Sequence, residues 1–232
     1  MKLSVKGDGE PSPVSRIYIA DVRPLMDEAL FARYYGTVSA RRKEKIDRMR
    51  LMEGKCLSLG VEVLLQQACR EFGINYREAV VEVGEYEKPY FAGSGIHFNL
   101  SHSGTRAMCI MSACDVGCDV EEVRTPNLRI AKRFFSPAEA AQIAALTDSV
   151  AQAELFYRIW TLKESFIKCV GGGLSIPLGE FTILTDTVPA GIWQNIDDSV
   201  YSFGEYDPGD GYKYSWCVKG SEPGAVITVF RY

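Results

Sequence analysis

The sequence predicts an α+β fold made of two similar halves. Short segments such as Arg16–Ala20 and Ile96–Ser101 read as strands, the latter alternating apolar and polar residues as a half-buried strand does. Two long stretches, 57–72 and 150–169, repeat apolar residues at helical spacing, each after a group of strands. A turn signal at Ala113-Cys114-Asp115 separates the two groups. The expected division is a polar tail over 1–15 carrying Gly7, Gly9, Pro11 and Pro13, an N-terminal half over 16–114 and a C-terminal half over 115–232.

The elements follow in order. Arg16–Ala20 is a strand closed by Asp21-Val22-Arg23-Pro24. Ser39 caps a helix that carries Arg41, Arg42, Lys43, Lys45, Arg48 and Arg50 against only Glu44 and Asp47, a local basic patch on an acidic chain. Leu57, Val61, Leu64, Leu65, Ala68 and Phe72 form one helical face, and Gly73 stops it. Val80–Val83 is a strand, and Ile96, Phe98 and Leu100 alternate with His97, Asn99 and Ser101 in another. That strand runs into Ser101-His102-Ser103-Gly104, whose hydroxyls, amides and imidazole suit a phosphate. Residues 106–112 and 116–121 are paired strands around the central turn. Asn127–Phe135 is a short helix, and Ser136-Pro137-Ala138-Glu139 opens the next with a capping box. Ser149 with Gln152 reads as a second box, opening the helix that Gly171-Gly172-Gly173 ends. Strands at 181–184, 212–218 and 225–230 complete the chain.

Composition excludes several classes. The chain has 232 residues, 47% of them hydrophobic, enough for a large core. A net charge of −4 argues against nucleic acid as partner. An apolar run of bilayer length and a secretory signal are both absent from the sequence, so no membrane partner is expected. Seven cysteines without a CxxC pair fit reduced thiols in a cytoplasmic protein.

The chemistry concentrates in two stretches. In Val116-Gly117-Cys118-Asp119-Val120-Glu121, alternation puts Asp119 and Glu121 on one face, with Gly117 beside them leaving room for a ligand. In Trp160-Thr161-Leu162-Lys163-Glu164-Ser165-Phe166-Ile167-Lys168, Glu164 and Lys168 lie one helical turn apart. Three carboxylates suit Mg²⁺, and a lysine beside them suits a transferring phosphoryl group. Taken singly, Asp-x-Glu on a strand is an ordinary solvated face, and Glu-x-x-x-Lys is an ordinary surface pair worth about 0.3–0.5 kcal/mol.

Together these stretches resemble the signature of the 4′-phosphopantetheinyl transferases. Lys88-Pro89-Tyr90, Phe98-Asn99-Leu100-Ser101-His102-Ser103-Gly104 and Arg133-Phe134-Phe135-Ser136 point to the larger, surfactin-synthetase-type branch. The resemblance implies a monomeric pseudo-twofold pair of α+β halves with the active site in the cleft between them. It implies transfer of the 4′-phosphopantetheine arm of coenzyme A to a serine of an acidic, transiently bound acyl or peptidyl carrier protein, with release of 3′,5′-ADP. Asp119, Glu121 and Glu164 then fall on ligands of Mg²⁺, or of Mn²⁺ in its place. Lys168 falls on a phosphate-contacting lysine, and Lys88, Ser101, His102, Arg42 and Lys45 on coenzyme A contacts. Glu139 falls on a glutamate that takes the serine proton, although its capping box gives it a structural alternative. Where the family often has an arginine, this chain has Cys56, with Lys55 the nearest cation. Two other readings share parts of the pattern: a Mg²⁺-dependent pyrophosphate or phosphodiester hydrolase, and a non-catalytic coenzyme A or carrier-binding module. The complete carboxylate set favours the transferase, since a binder need not keep metal ligands.

Overall fold

The structure is a computed structural model that describes residues 14–84, 86, 88–221 and 224–232. The chain runs β1 (Ser15–Asp21), α1 (Glu28–Tyr35), α2 (Ala40–Asp47), α3 (Met52–Glu71), β2 (Val81–Val83), β3 (Pro89–Phe91), β4 (His97–Ser103), β5 (Arg106–Ser112) and β6 (Val116–Glu122). It continues with α4 (Leu128–Phe134), α5 (Pro137–Ala145), α6 (Ser149–Val170), β7 (Thr182–Leu184), β8 (Gly191–Trp193), β9 (Tyr201–Tyr206), β10 (Tyr212–Lys219) and β11 (Ala225–Phe230). Most of the predicted tail lies outside the described residues. Ser15, its last residue, is buried at the start of β1 rather than loose.

Two sheets, each backed by one of the long helices, form the body. The first has the order β11-β1-β5-β4, and the second β6-β10-β9. Along β1, Tyr18 and Ala20 pack with Cys109, Met111, Phe98 and the apolar face of α3. The alternate residues Ile17, Ile19, Met108 and Ile110 face the other way and pack against Val116, Cys118, Val120, Tyr214 and Trp216 of the second sheet. The other face of that sheet meets α6 through Cys217, Phe203, Phe166 and Leu162. The layers are therefore helix, sheet, sheet, helix, and period-two alternation alone assigns each strand residue to its layer. Among the described residues no helix is long and apolar enough to cross a membrane.

Five local readings change against the structure. The strands over 106–112 and 116–121, expected to pair across the turn between them, join different sheets instead: β5 pairs with β1 and β4, and β6 with β10. The N-cap of α6 is Asp148, whose carboxylate accepts from the Val150 and Ala151 amides; Ser149 is the first helical residue. Gln152, expected to close a capping box, instead donates to the Ile143 and Leu146 carbonyls at the end of α5. The polar face of β4 is not solvated: Asn99 and Ser101 are 7% and 8% exposed, because that face lies against β6. Gly117 does not leave room for a ligand. A Cβ there lies 2.1 Å from the Ser165 carbonyl oxygen and 2.4 Å from the Cys169 nitrogen, so the missing side chain admits the backbone of α6.

The last strand runs against the expected division. β11 pairs in parallel with β1, from Ser15↔Ala225 to Ala20↔Phe230, so residues of the C-terminal stretch complete the N-terminal sheet.

The glycine contact yields a test. Gly117→Ala forces helix and strand apart and is expected to cost about 3 kcal/mol, while Gly54→Ala, on α3 with its nearest neighbour 3.8 Å from the new Cβ, gains up to about 1 kcal/mol. Urea denaturation of both variants checks the contrast.

Candidate functional site

β4 and β6 are the facing edges of the two sheets, and the site lies where they meet under α6. Asp119 projects from β6 toward α6 and is 3% exposed. Its Oδ1 accepts from Lys168 Nζ at 2.6 Å and from Ser101 Oγ at 2.8 Å. Its Oδ2 is buried without a partner among the described residues. Lys168 Nζ also donates to the Cys118 carbonyl at 3.2 Å, a contact that depends on the close approach at Gly117. Glu121, two residues along the same face, accepts from Ser103 Oγ at 2.6 Å.

The electrostatics define one cluster. Burial, and then the Asp119 charge, hold the Glu164 carboxyl above its ordinary pKa, with Glu121 adding to the effect. Burial likewise raises Glu121, the Ser103 hydrogen bond partly offsets it, and Asp119 raises it further. Burial alone lowers Lys168, yet Asp119, Cys118 and Glu164 carry it above the usual lysine value. Three acids thus share one neighbouring ammonium. Among the described residues no three Asp, Glu, His or Cys side chains close around a single point, and Lys168 is the resident cation at Asp119. The donor set still fits a hard divalent ion: oxygen ligands only, negative charge in excess, and an orphaned buried Asp119 oxygen.

A second, cationic zone adjoins the first. His102 projects from β4 on the face opposite Ser101 and Ser103. Crowding by the surrounding chain, and then the charges of Lys45, Lys168 and Arg42, hold its pKa below the usual histidine value. Lys45 is lowered by burial and then by Arg42 and Arg41. Ser39 caps α2 as expected, accepting from the Arg42 amide. Arg42 is not a free cation, since Glu62 of α3 takes its guanidinium at 2.7 Å. The remaining Glu62 oxygen accepts from Tyr76 and Ser39.

Other residues of the predicted set are used differently. Ser101 spends its hydroxyl proton on Asp119, so its oxygen is turned to the carboxylate and not to an outside ligand. Lys88 Nζ donates to the Cys169 carbonyl at 3.0 Å, at the C-terminal end of α6 where the helix dipole favours a cation. Cys56 is 1% exposed in the first core with Sγ 3.6 Å from Met26 Sδ, so this position is part of the packing.

Glu139 is corrected. It is 0% exposed, and both oxygens are committed: one to the Ser136 amide at 2.8 Å and Lys163 Nζ at 2.9 Å, the other to the Ile183 amide at 2.7 Å. A carboxylate so enclosed has no face for an incoming hydroxyl, and the capping-box reading stands. Its partner Lys163, also 0% exposed, donates to the Leu178 and Phe181 carbonyls at 2.7 Å each and lies over the Phe181 ring. Burial, against the pull of Glu139, leaves Lys163 below the usual lysine pKa. This residue escaped the sequence reading, although a signal was present. Lys163 stands at the i+4 position of the apolar stripe Ile159, Leu162, Phe166, where a solvated lysine does not belong.

Breaking this pair strands a buried charge. Glu139→Gln is expected to lower stability by about 3–5 kcal/mol, and a double-mutant cycle with Lys163→Met to show coupling above about 1 kcal/mol. Denaturant midpoints check both; an unchanged midpoint in Glu139→Gln returns Glu139 to the candidates for proton acceptor.

Comparison with known proteins identifies the family. The profile of the 4′-phosphopantetheinyl transferase superfamily matches residues 115–217, from β6 through β10. A 4′-phosphopantetheinyl transferase of Bacillus subtilis is 37% identical over 164 residues, 68% of this chain and 73% of its own length. The Sfp transferase of Bacillus subtilis strain 168 is 32% identical over 213 residues, 90% of this chain and 94% of its own. A third, ffp of the same species, is 31% identical over 215 residues, 90% and 94% of the two chains. With shared sequence running from the first sheet through α6 and β10, the chain belongs to the 4′-phosphopantetheinyl transferase superfamily.

Proposed function

We propose that this protein transfers the 4′-phosphopantetheine arm of coenzyme A to a serine of an acyl or peptidyl carrier protein, as a monomer and with a divalent ion, Mg²⁺ or Mn²⁺. The reading is carried by one juxtaposition: the acidic cluster Asp119, Glu121 and Glu164 with Lys168 lies beside the cationic zone of His102, Lys45 and Arg42, Ser101 being the next residue to His102 on β4. A pyrophosphate with a further phosphate on its nucleotide end needs this two-zone layout.

Asp119, Glu121 and Glu164 would hold the ion, which supplies charge neutralisation at the pyrophosphate oxygens. The chain's own groups do the rest. Lys168, kept protonated by Asp119, gives positive charge on the transferring phosphoryl side. Lys45 and His102 meet the nucleotide-end phosphates, and Glu62 fixes the Arg42 guanidinium beside them. With Glu139 enclosed, the serine proton passes to a carboxylate of the acidic cluster or to solvent. The exposed Arg41 of α2, with the half-buried Lys43 beside it, suits an acidic carrier that binds transiently.

Intact-mass spectrometry of apo carrier proteins incubated with coenzyme A and Mg²⁺ tests the reading. One added phosphopantetheine arm is expected; coenzyme A consumed without carrier points instead to hydrolysis. Asp119→Ala is expected to lower transfer by at least about 10²-fold with the fold intact, since removing one of three crowded acids relieves repulsion. Circular dichroism alongside the mass assay checks both halves of that statement.

The histidine supplies a pH test. Phosphates placed beside the His102 ring raise its depressed pKa, so coenzyme A binding takes up a proton and affinity strengthens as pH falls from about 7.5 to 6. NMR titration of the ring with and without coenzyme A reads the shift directly. A ring that titrates identically in both places the phosphates elsewhere.

A further inference from the structure

The facing edges of the two sheets do not pair backbone to backbone. Instead β4 sends alternate side chains into the β6 edge. The Cys118 amide donates to Asn99 Oδ1 at 3.0 Å, the Val120 amide to Ser101 Oγ at 3.4 Å and the Glu122 amide to Ser103 Oγ at 3.4 Å. A strand edge buried against another sheet needs partners for every second amide, and here three short polar side chains supply them. The register repeats: each step of two on β4 meets a step of two on β6.

The two serines do more than satisfy amides. A hydroxyl has one proton. Since Ser101 and Ser103 each accept from a β6 amide, that proton is free to be given to a second partner. Ser101 Oγ gives it to Asp119 Oδ1 at 2.8 Å, and Ser103 Oγ to Glu121 Oε2 at 2.6 Å. The amide fixes the oxygen, the oxygen directs the proton, and the proton holds one carboxylate oxygen. The second oxygen is left for another partner, and at Asp119 that oxygen, Oδ2, is buried and unmatched among the described residues.

We propose that Ser103 is a positioning residue for the divalent ion: through the Glu122 amide it sets the direction in which Glu121 offers its ligand oxygen, as Ser101 does for Asp119. Ser103 touches neither ion nor coenzyme A in this scheme; it acts through Glu121. The inference rests on the transferase reading for the presence of an ion at this cluster. It reassigns Ser101 from coenzyme A contact to ligand orientation, and Ser103 from one of several hydroxyls suited to a phosphate to the same task at Glu121.

The test separates the two levels. Mn²⁺ is titrated into the purified protein with saturating coenzyme A, and free Mn²⁺ is read by electron paramagnetic resonance. Ser103→Ala is expected to weaken Mn²⁺ binding by about tenfold or more, the usual effect of removing an outer partner of a ligand. Ser103→Thr, which keeps the hydroxyl, is expected to restore it. In turnover, the metal concentration for half-maximal rate rises more than the maximal rate falls. If Ser103→Ala binds Mn²⁺ like wild type and only its melting temperature drops, the hydroxyl serves the seam alone and the proposal is overturned, with the transferase reading intact. If wild type transfers the arm but takes up no Mn²⁺, the ion site itself is misplaced and the proposal falls with it.

Discussion

The site depends on how closely one helix lies on one strand. At Gly117 the backbone of α6 comes within the space of a methyl group of β6. That approach lets Lys168 reach both the Asp119 carboxylate and the Cys118 carbonyl of the strand it crosses. It also places Glu164, one turn back, within the field of Asp119 and Glu121. Any larger residue moves the whole face of α6 outward, and because interiors are close-packed, that displacement is not absorbed locally. A small-residue backbone contact therefore sets the distances on which the charge pattern rests.

The same helix is fixed on its other face by the Glu139–Lys163 pair. The pair links the first turn of α5, the strand β7 through the Ile183 amide, and the loop before it through the Leu178 and Phe181 carbonyls. Buried pairs of this kind contribute little net stability over an apolar packing, but they tolerate one geometry only. Lys163 and Glu164 are consecutive residues with opposite assignments: one anchors α6 inward, the other faces the acidic cluster. The anchoring of the first fixes the rotation of α6 about its axis, and so the direction of the second.

What was legible in the sequence was local and periodic. Alternation alone put Asp119 and Glu121 on one face and Cys118 in the core, and helical spacing put Glu164 with Lys168. The parts that were not legible depend on contacts between distant segments. Nothing near Asn99, Ser101 and Ser103 says that their polar face meets a buried edge rather than water. Glu139 presents the same four-residue pattern whether its carboxylate is exposed or enclosed; only Lys163 and the Ile183 amide decide it. The strand β9 was missed because Gly204 interrupts its pattern, yet that glycine makes room for the Trp216 indole, which a Cβ would approach to 2.1 Å. The start of α6 was misread by one residue because Asp148 and Ser149 are both good caps, and the choice turned on Gln152 reaching back to α5.

The parallel pairing of β11 with β1 has a consequence for biosynthesis. A ribosome delivers β1, α3, β4 and β5 before the second sheet, but the partner of β1 on its other side emerges only after that sheet. Until residues 225–230 are released, one edge of β1 keeps a row of unpaired amides and carbonyls, the kind of edge that recruits stray strands. The first sheet is thus completed only after the second, and the nascent chain must hold that edge open through the synthesis of the entire second sheet.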